Sequence, residues 1–226
     1  MIKLSSENEN VQNFLDFVHS SLRKHKMNLI LSLDPIKICS NVVSGYFSEE
    51  DREIRIDISD RTWIETLVHE FCHFLQYIEN DPSYTCLEQG DSNFLSEAWD
   101  WLDGSLEFVS IRRRNLVFRK ILEMELNCEK RSVEMIKKFD LPIDLDDYIF
   151  AAYVYINYYN FAKKYRTWLK TDTILGSIFE IKESSEKFGG ISLDQDFKQL
   201  PKEYEEIFKK YSKMSWQTKL NLLFYR

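Results

Sequence analysis

Two histidines and a glutamate in one pentad, His69-Glu70-Phe71-Cys72-His73, are the residues of this chain best suited to chemistry. Spaced four apart, His69 and His73 project from one face of a helix about one turn from each other. Neutral imidazole binds zinc well, and this spacing lets two rings converge on one ion. Glu70 is rotated roughly 100° from His69. It therefore stays outside the coordination shell but within reach of a water held by the ion. Zinc lowers the pKa of such a water toward about 7, and the glutamate accepts its proton as general base. The pattern predicts metal-assisted hydrolysis, with His69 and His73 as metal ligands, Glu70 as the catalytic base and Zn2+ as the cofactor. The competing interpretation is a structural helix whose two histidines are hydrogen-bonded in the core and hold no ion.

A catalytic zinc usually has three protein ligands and an open position. The remaining histidines, His19 and His25, belong to an N-terminal helical segment and have no supporting pattern. Glu97 and Asp100 share a helix face, but at a spacing of three, and the preceding loop would have to bring them back to the pentad. In Glu125-Leu126-Asn127-Cys128-Glu129 the two glutamates share one helix face, with Cys128 on the same side. A carboxylate from this segment is the better third ligand. Oxyanion stabilisation needs a donor such as Tyr, His or Arg. Tyr148, Tyr153, Tyr155, Tyr158, Tyr159 and Arg131 are available, spacing selects none of them, and core packing explains each tyrosine better. Gln76, three residues after His73, can line a cleft or cap a loop.

The pentad needs a helix, and the sequence supplies one. Ile64, Leu67, Val68, Phe71, Cys72, Leu75 and Ile78 recur at helical spacing up to about Asn80. Thr62-Trp63-Ile64-Glu65 fits a capping box, with Thr62 as N-cap and Glu65 reaching back. Before it, Glu53 to Ile58 alternates polar and apolar like a half-buried strand. Asn28 to Leu33 and Ile36 to Tyr46 are further strand candidates, and Asn8 to Lys26 is an amphipathic helix. Asp81 to Asn93 is loop-like. A short helix spans about Ser96 to Leu102, a long one about Leu106 to Phe139, and a third, rich in Tyr and Phe, about Asp146 to Lys170. Pro201 opens the last substantial helix. Strands followed by a helical run indicate an α+β fold, mainly helical with a small N-terminal sheet. No repeat or linker interrupts residues 1–226, which read as a single domain.

Among 226 residues, only six Gly and four Pro occur, which favours long helices over many short strands. The net charge of −7 argues against a non-specific grip on nucleic acid, despite the run Arg112-Arg113-Arg114, which reads as a solvated helix face. No apolar run approaches the roughly 20 residues of a membrane span. Cys39, Cys72, Cys86 and Cys128 lack metal-ligand spacing and read as reduced thiols. With a polar segment from Met1 to Gln12, a cytoplasmic location is expected.

A strand, a helix bearing H-E-x-x-H and a later helix supplying a glutamate together resemble the gluzincin branch of zinc metallopeptidases. In several such families the ligand belongs to E-x-x-x-D or E-x-x-A-D, whose later acid supports the site from outside the coordination shell. Glu125-Leu126-Asn127-Cys128-Glu129 is similar, with Cys128 in the small position and Glu129 replacing the aspartate. The resemblance implies Glu125 as third metal ligand and Glu129 as the residue orienting a ligating histidine. The exchange of Glu for Asp leaves the choice between Glu125 and Glu129 open. Leu67 to Gln76 also resembles metallopeptidase-like proteins encoded by bacteriophages. The specific likeness covers the two helices, about a quarter of the chain.

The implied protein is a zincin-like, zinc-dependent metallopeptidase that cleaves amide bonds in peptide or protein substrates, without nucleic-acid or membrane partners. By the same analogy, an edge strand Glu53 to Ile58 would pair with an extended substrate. The alternative is a zincin-like protein-binding module in which the metal is structural or absent.

Overall fold

The computed structural model describes residues 9–38, 41–89, 92–167, 192–194, 197 and 201–212; Cys39 and Lys170 lie outside them. The protein is α+β, mainly helical with a small three-stranded sheet. The chain divides into two compact units, Met1–Asp81 with Cys128–Tyr148, and Pro82–Asn127 with Ile149–Arg226.

In the first unit, α1 (Glu9–Lys24) buries Val11, Phe14, Val18 and Leu22, the stripe its 3.6-residue period lines up. Strands β1 (Asn28–Ser32), β2 (Ile36–Ile38), β3 (Asn41–Val43), β4 (Gly45–Ser48) and β5 (Glu53–Asp57) follow. The sheet order is β1-β5-β4, with β5 parallel to β1 and antiparallel to β4; β2 and β3 form a separate hairpin. The alternation of β5 buries Ile54 and Ile56 completely.

The expectation that Glu53 to Ile58 offers a free edge is corrected here. Both sides of β5 are hydrogen-bonded to neighbours, so no row of donors and acceptors is left for a substrate strand. Ile36 to Tyr46, anticipated as one strand, contributes to three.

Helix α2 (Trp63–Ile78) lies on this sheet and carries the pentad. Gly45 makes the approach feasible: a Cβ there would stand 2.7 Å from both Ile56 Cδ1 and Thr66 Cγ2. Phe71 and Phe74 are fully buried, with Phe14 edge-on to Phe71 at 6.1 Å and to Phe139 at 5.3 Å. Each such ring contributes on the order of 1.5–3 kcal/mol.

The start of α2 departs from the anticipated capping box. Thr62 is the N-cap, yet its side chain accepts no capping hydrogen bond. Its hydroxyl donates to Asp60 Oδ1 at 2.8 Å, which also accepts from the Thr62 N–H at 2.9 Å. Ser44 Oγ donates to the other Asp60 oxygen at 2.6 Å. Burial opposes the charge on Asp60, and these hydrogen bonds outweigh it, holding its carboxyl below the usual value. Glu65 is pushed the other way, by burial and then by the charges of Asp60 and Asp147.

The second unit contains α3 (Pro82–Thr85), the short hairpin β6 (Glu88–Gln89) and β7 (Ser92–Asn93), α4 (Phe94–Asp103), the first part of α5 (Ile111–Phe139), most of α6 (Leu145–Tyr165) and α7 (Lys202–Ser212). Asn93 caps α4 by accepting from Ser96 N at 3.1 Å, and Gly104 ends it with φ 95°. α5 begins at Ile111 rather than near Leu106 because Ser110 Oγ accepts from Arg113 N at 3.1 Å. α6 stops at Tyr165, where Arg166 turns to φ 50°. The guanidinium of Arg166 anchors that turn by donating to the Trp101 carbonyl at 2.7 Å and the Leu106 carbonyl at 3.1 Å. Trp101, Phe118, Ile121 and Tyr159 belong to the core of this unit. Among the described residues no helix is long and apolar enough to cross a membrane.

Candidate metal centre

On α2 the helical repeat brings the two imidazoles together. His69 Nε2 and His73 Nε2 are 3.1 Å apart, with the rings edge to face and centroids 4.7 Å apart. Each ring is fixed from behind through Nδ1. His69 Nδ1 lies 3.1 Å from Glu129 Oε1, and His73 Nδ1 lies 2.9 Å from Gln76 Oε1. An ionised carboxylate accepts only, so Glu129 places a proton on His69 Nδ1; the amide oxygen of Gln76 does the same for His73. With each Nδ1 engaged, the two Nε2 atoms face one another at a separation that fits a proton or a cation held between them. Two nitrogens about 2.0–2.1 Å from a tetrahedral ion stand roughly 3.3 Å apart, and an N–H···N hydrogen bond has the same length as the observed 3.1 Å, so the separation fits either.

A third donor stands on α5. Cys128 Sγ lies 3.8 Å from His69 Nδ1, and the donor atoms of His69, His73 and Cys128 are all within 4.8 Å of one another. Among the described residues this is the group able to hold a metal. The sulfur faces the nitrogen already engaged by Glu129, and it donates to the His69 carbonyl at 3.3 Å. Cys128 thus approaches the His69 ring from its Nδ1 side and touches α2 at the His69 carbonyl.

The carboxylate behind His69 is itself held. Tyr148 Oη donates to Glu129 Oε2 at 2.7 Å, and Glu129 is only 5% exposed. Burial, reinforced by the charge of Glu129, keeps the Tyr148 phenol well above its ordinary pKa, so it remains a donor. Burial pulls the His69 imidazolium down, but Cys128 and Glu129 beside it outweigh that and hold its pKa well above the usual imidazole value. Cys72 is pushed up by burial and by Cys128, so its thiol stays protonated. Glu70, half-buried, follows His69 on α2.

Glu125 belongs to the second unit and stands one turn before Glu129 on α5. It too is 5% exposed, and its Oε1 accepts from Tyr159 Oη at 2.9 Å. Burial, then the charge of Glu125, raises the Tyr159 pKa well above normal.

The other sequence candidates are occupied elsewhere. His19 and His25 are exposed, and neither joins the histidine pair. Glu97 is paired with Arg113 at 3.0 Å, and Asp100 is exposed. Arg131 is committed to Glu79 at 2.6 Å and Asp81 at 2.5 Å. Tyr153 packs on Phe197 and Tyr204, and Tyr158 packs on Phe161 and Phe208. Comparison with known proteins gives no match among family models, curated proteins or solved structures.

Sequence reasoning did not assign Gln76 to His73, nor Tyr148 to Glu129. The first was signalled by the i, i+3 spacing on α2. Nothing local signalled the second, because nineteen residues and a helix turn separate the partners.

Proposed function

We propose that this chain is a zinc-dependent hydrolase, a zincin-like metallopeptidase cutting amide bonds in peptide or protein substrates. His69, His73 and Glu125 hold the ion in this reading, and Glu70 is the catalytic base. The observation that carries it is the pair of Nε2 atoms converging at 3.1 Å while both Nδ1 atoms are tied back. Such tied-back imidazoles are the usual form of histidine ligands, whose outer partners fix the tautomer and raise basicity.

Zinc bound there would acidify a water and polarise the scissile carbonyl. Glu70 takes a proton from the attacking water and later returns it to the leaving amine. Glu129 holds the His69 ring and is itself held by Tyr148. Glu125, which is outside the His69–His73–Cys128 group, would complete the ligand set as a carboxylate on the same helix face as Glu129, where i, i+4 side chains are about 5–6 Å apart at Cβ. A carboxylate this buried is tolerated when hydrogen-bonded or bound to a cation. Among the described residues Cys72, Cys86 and Cys128 form no disulfide, as a cytoplasmic setting would have it.

A Glu70→Gln variant tests the assignment. It should keep one zinc per chain and lose about 10²–10⁴-fold in cleavage of a proteome-derived peptide library read by mass spectrometry. Zinc retained with full turnover rules out the mechanism. A second reading, a protein-binding module with a structural metal, draws on the closeness of Cys128 to His69. It predicts that zinc stoichiometry depends on Cys128 and not on Glu125, with no cleavage by either protein.

A further inference from the structure

The arginine run that the metal site leaves unused borders a cavity in the second unit. Its volume is about 1080 Å³, at the upper end of the roughly 300–1,000 Å³ range of small-molecule sites. Leu116, Leu122, Leu126 and Phe197 supply apolar walls, the first three from α5. Ile111 also lines it and is 70% exposed, two residues after Val109 at 94%.

The charge on the lining is unbalanced. Arg112, Arg113, Arg119 and Lys163 face one carboxylate, Glu123. Arg113 is neutralised by Glu97, and Glu123 is shared between Lys120 at 2.6 Å and Arg119 at 3.7 Å. Arg112 and Lys163 then have no carboxylate partner among the described residues. Among the described residues the Lys163 ammonium donates only to Asn160 Oδ1, at 3.3 Å, while Asn160 Nδ2 is fixed on the Phe197 carbonyl at 2.7 Å. Burial and then the charge of Arg114 pull Lys163 below its ordinary pKa. An anion arriving beside Lys163 would relieve both effects.

We propose that this cavity binds a small amphipathic anion, with a carboxylate or phosphate head between Lys163 and Arg112 and an apolar chain along Leu116, Leu122 and Leu126. Neither half of the cavity alone selects this ligand. The cations attract any anion, and the leucines accept any apolar group. Together they favour a molecule that carries both, and they reject a cationic amphiphile by repulsion. The site stands independently of the metal, since none of its lining residues belongs to the histidine centre.

Isothermal titration calorimetry on the full chain tests the proposal, with laurate and dodecyl phosphate below their micellar concentrations. Dodecyltrimethylammonium and inorganic phosphate serve as the contrasting probes. Saturable one-to-one binding of either anionic amphiphile is expected, and the tighter of the two identifies the head group. Lys163→Gln and Arg112→Gln should each weaken it about tenfold, and Lys163→Arg should restore most of it. Thermal melts establish that each variant is folded; Arg112 is exposed, so its variant folds irrespective of Lys163. Absence of binding to the parent chain, equal binding of the cationic amphiphile, equal binding of bare phosphate, or affinities unmoved in folded variants would each overturn it.

Discussion

Replacing Glu129 separates a metal centre from an ordinary buried histidine pair. In the parent chain its two oxygens serve two donors, His69 Nδ1 at 3.1 Å and Tyr148 Oη at 2.7 Å. Glu129→Gln keeps one acceptor oxygen and puts an NH₂ group against the other donor, so either the His69 tautomer or the Tyr148 bond is lost, together with the negative charge behind the ring. Removing such an outer partner typically weakens metal binding about 10–100-fold, or roughly 1.4–2.8 kcal/mol. Glu129→Ala loses both bonds and strands a buried phenol, adding about 1–3 kcal/mol of destabilisation. Tyr148→Phe leaves the carboxylate facing His69 and removes one of its supports. Its effect should be nearer 1 kcal/mol, about fivefold. Zinc competition against a chromophoric chelator measures the affinities, and urea melts of chelated protein separate them from folding. The reasoning fails if folded Glu129→Gln binds zinc as tightly as the parent while His69→Ala abolishes binding.

Asp60→Ala should destabilise the fold by about 1–2 kcal/mol at neutral pH, since it removes the acceptor for Thr62 and Ser44 at the start of α2. The Asp60 pKa is lowered on folding, so its contribution is present above the unfolded value of about 3.8 and fades as pH falls through the folded one. Denaturant melts at several pH values would show the gap closing in acid, and a constant gap would contradict it. Glu205, paired with Lys164 and Lys209 at 2.8 Å each and with Tyr165, titrates at about 2. The stability difference between the parent and Glu205→Gln should be complete above about 4.5 and disappear as pH falls toward 2, as read from the same melts. Cys128→Ser should retain one zinc per chain while Glu125→Gln loses it, by atomic absorption after dialysis. The opposite pattern would transfer the third-ligand role to the sulfur.

The elements were legible where one residue's environment is set by its near neighbours. The period of Ile64, Leu67, Val68, Phe71, Cys72, Leu75 and Ile78 marks α2; the middle four from Leu67 to Cys72 are fully buried, and Ile64, Leu75 and Ile78 are half-buried. Alternation likewise located β5, because Ile54 and Ile56 share one face of the strand. That same alternation is silent about edges. It reports which face meets the core, whereas the partners of β5 depend on β1 pairing in parallel across twenty intervening residues. The capping of α2 was missed for a related reason. Thr62 and Glu65 have the right spacing, but Asp60, two residues earlier, claims the threonine hydroxyl first.

At the candidate site the local part of the constellation was visible and the long-range part was not. Spacing of four sets His69 over His73 whatever the rest of the chain does. Which atoms of those rings face each other is decided by Glu129, sixty residues away, and by Gln76 close at hand. Cys128 was classed as a small apolar residue, yet it stands 3.8 Å from the His69 ring. That position, with the thiol also donating to the His69 carbonyl at 3.3 Å, depends on how α5 meets α2 and has no local signature. A pair of histidines can exist on any helix. What makes this pair a candidate for a cation is that both back nitrogens are engaged, by Glu129 and by Gln76, while the two Nε2 atoms face one another at 3.1 Å.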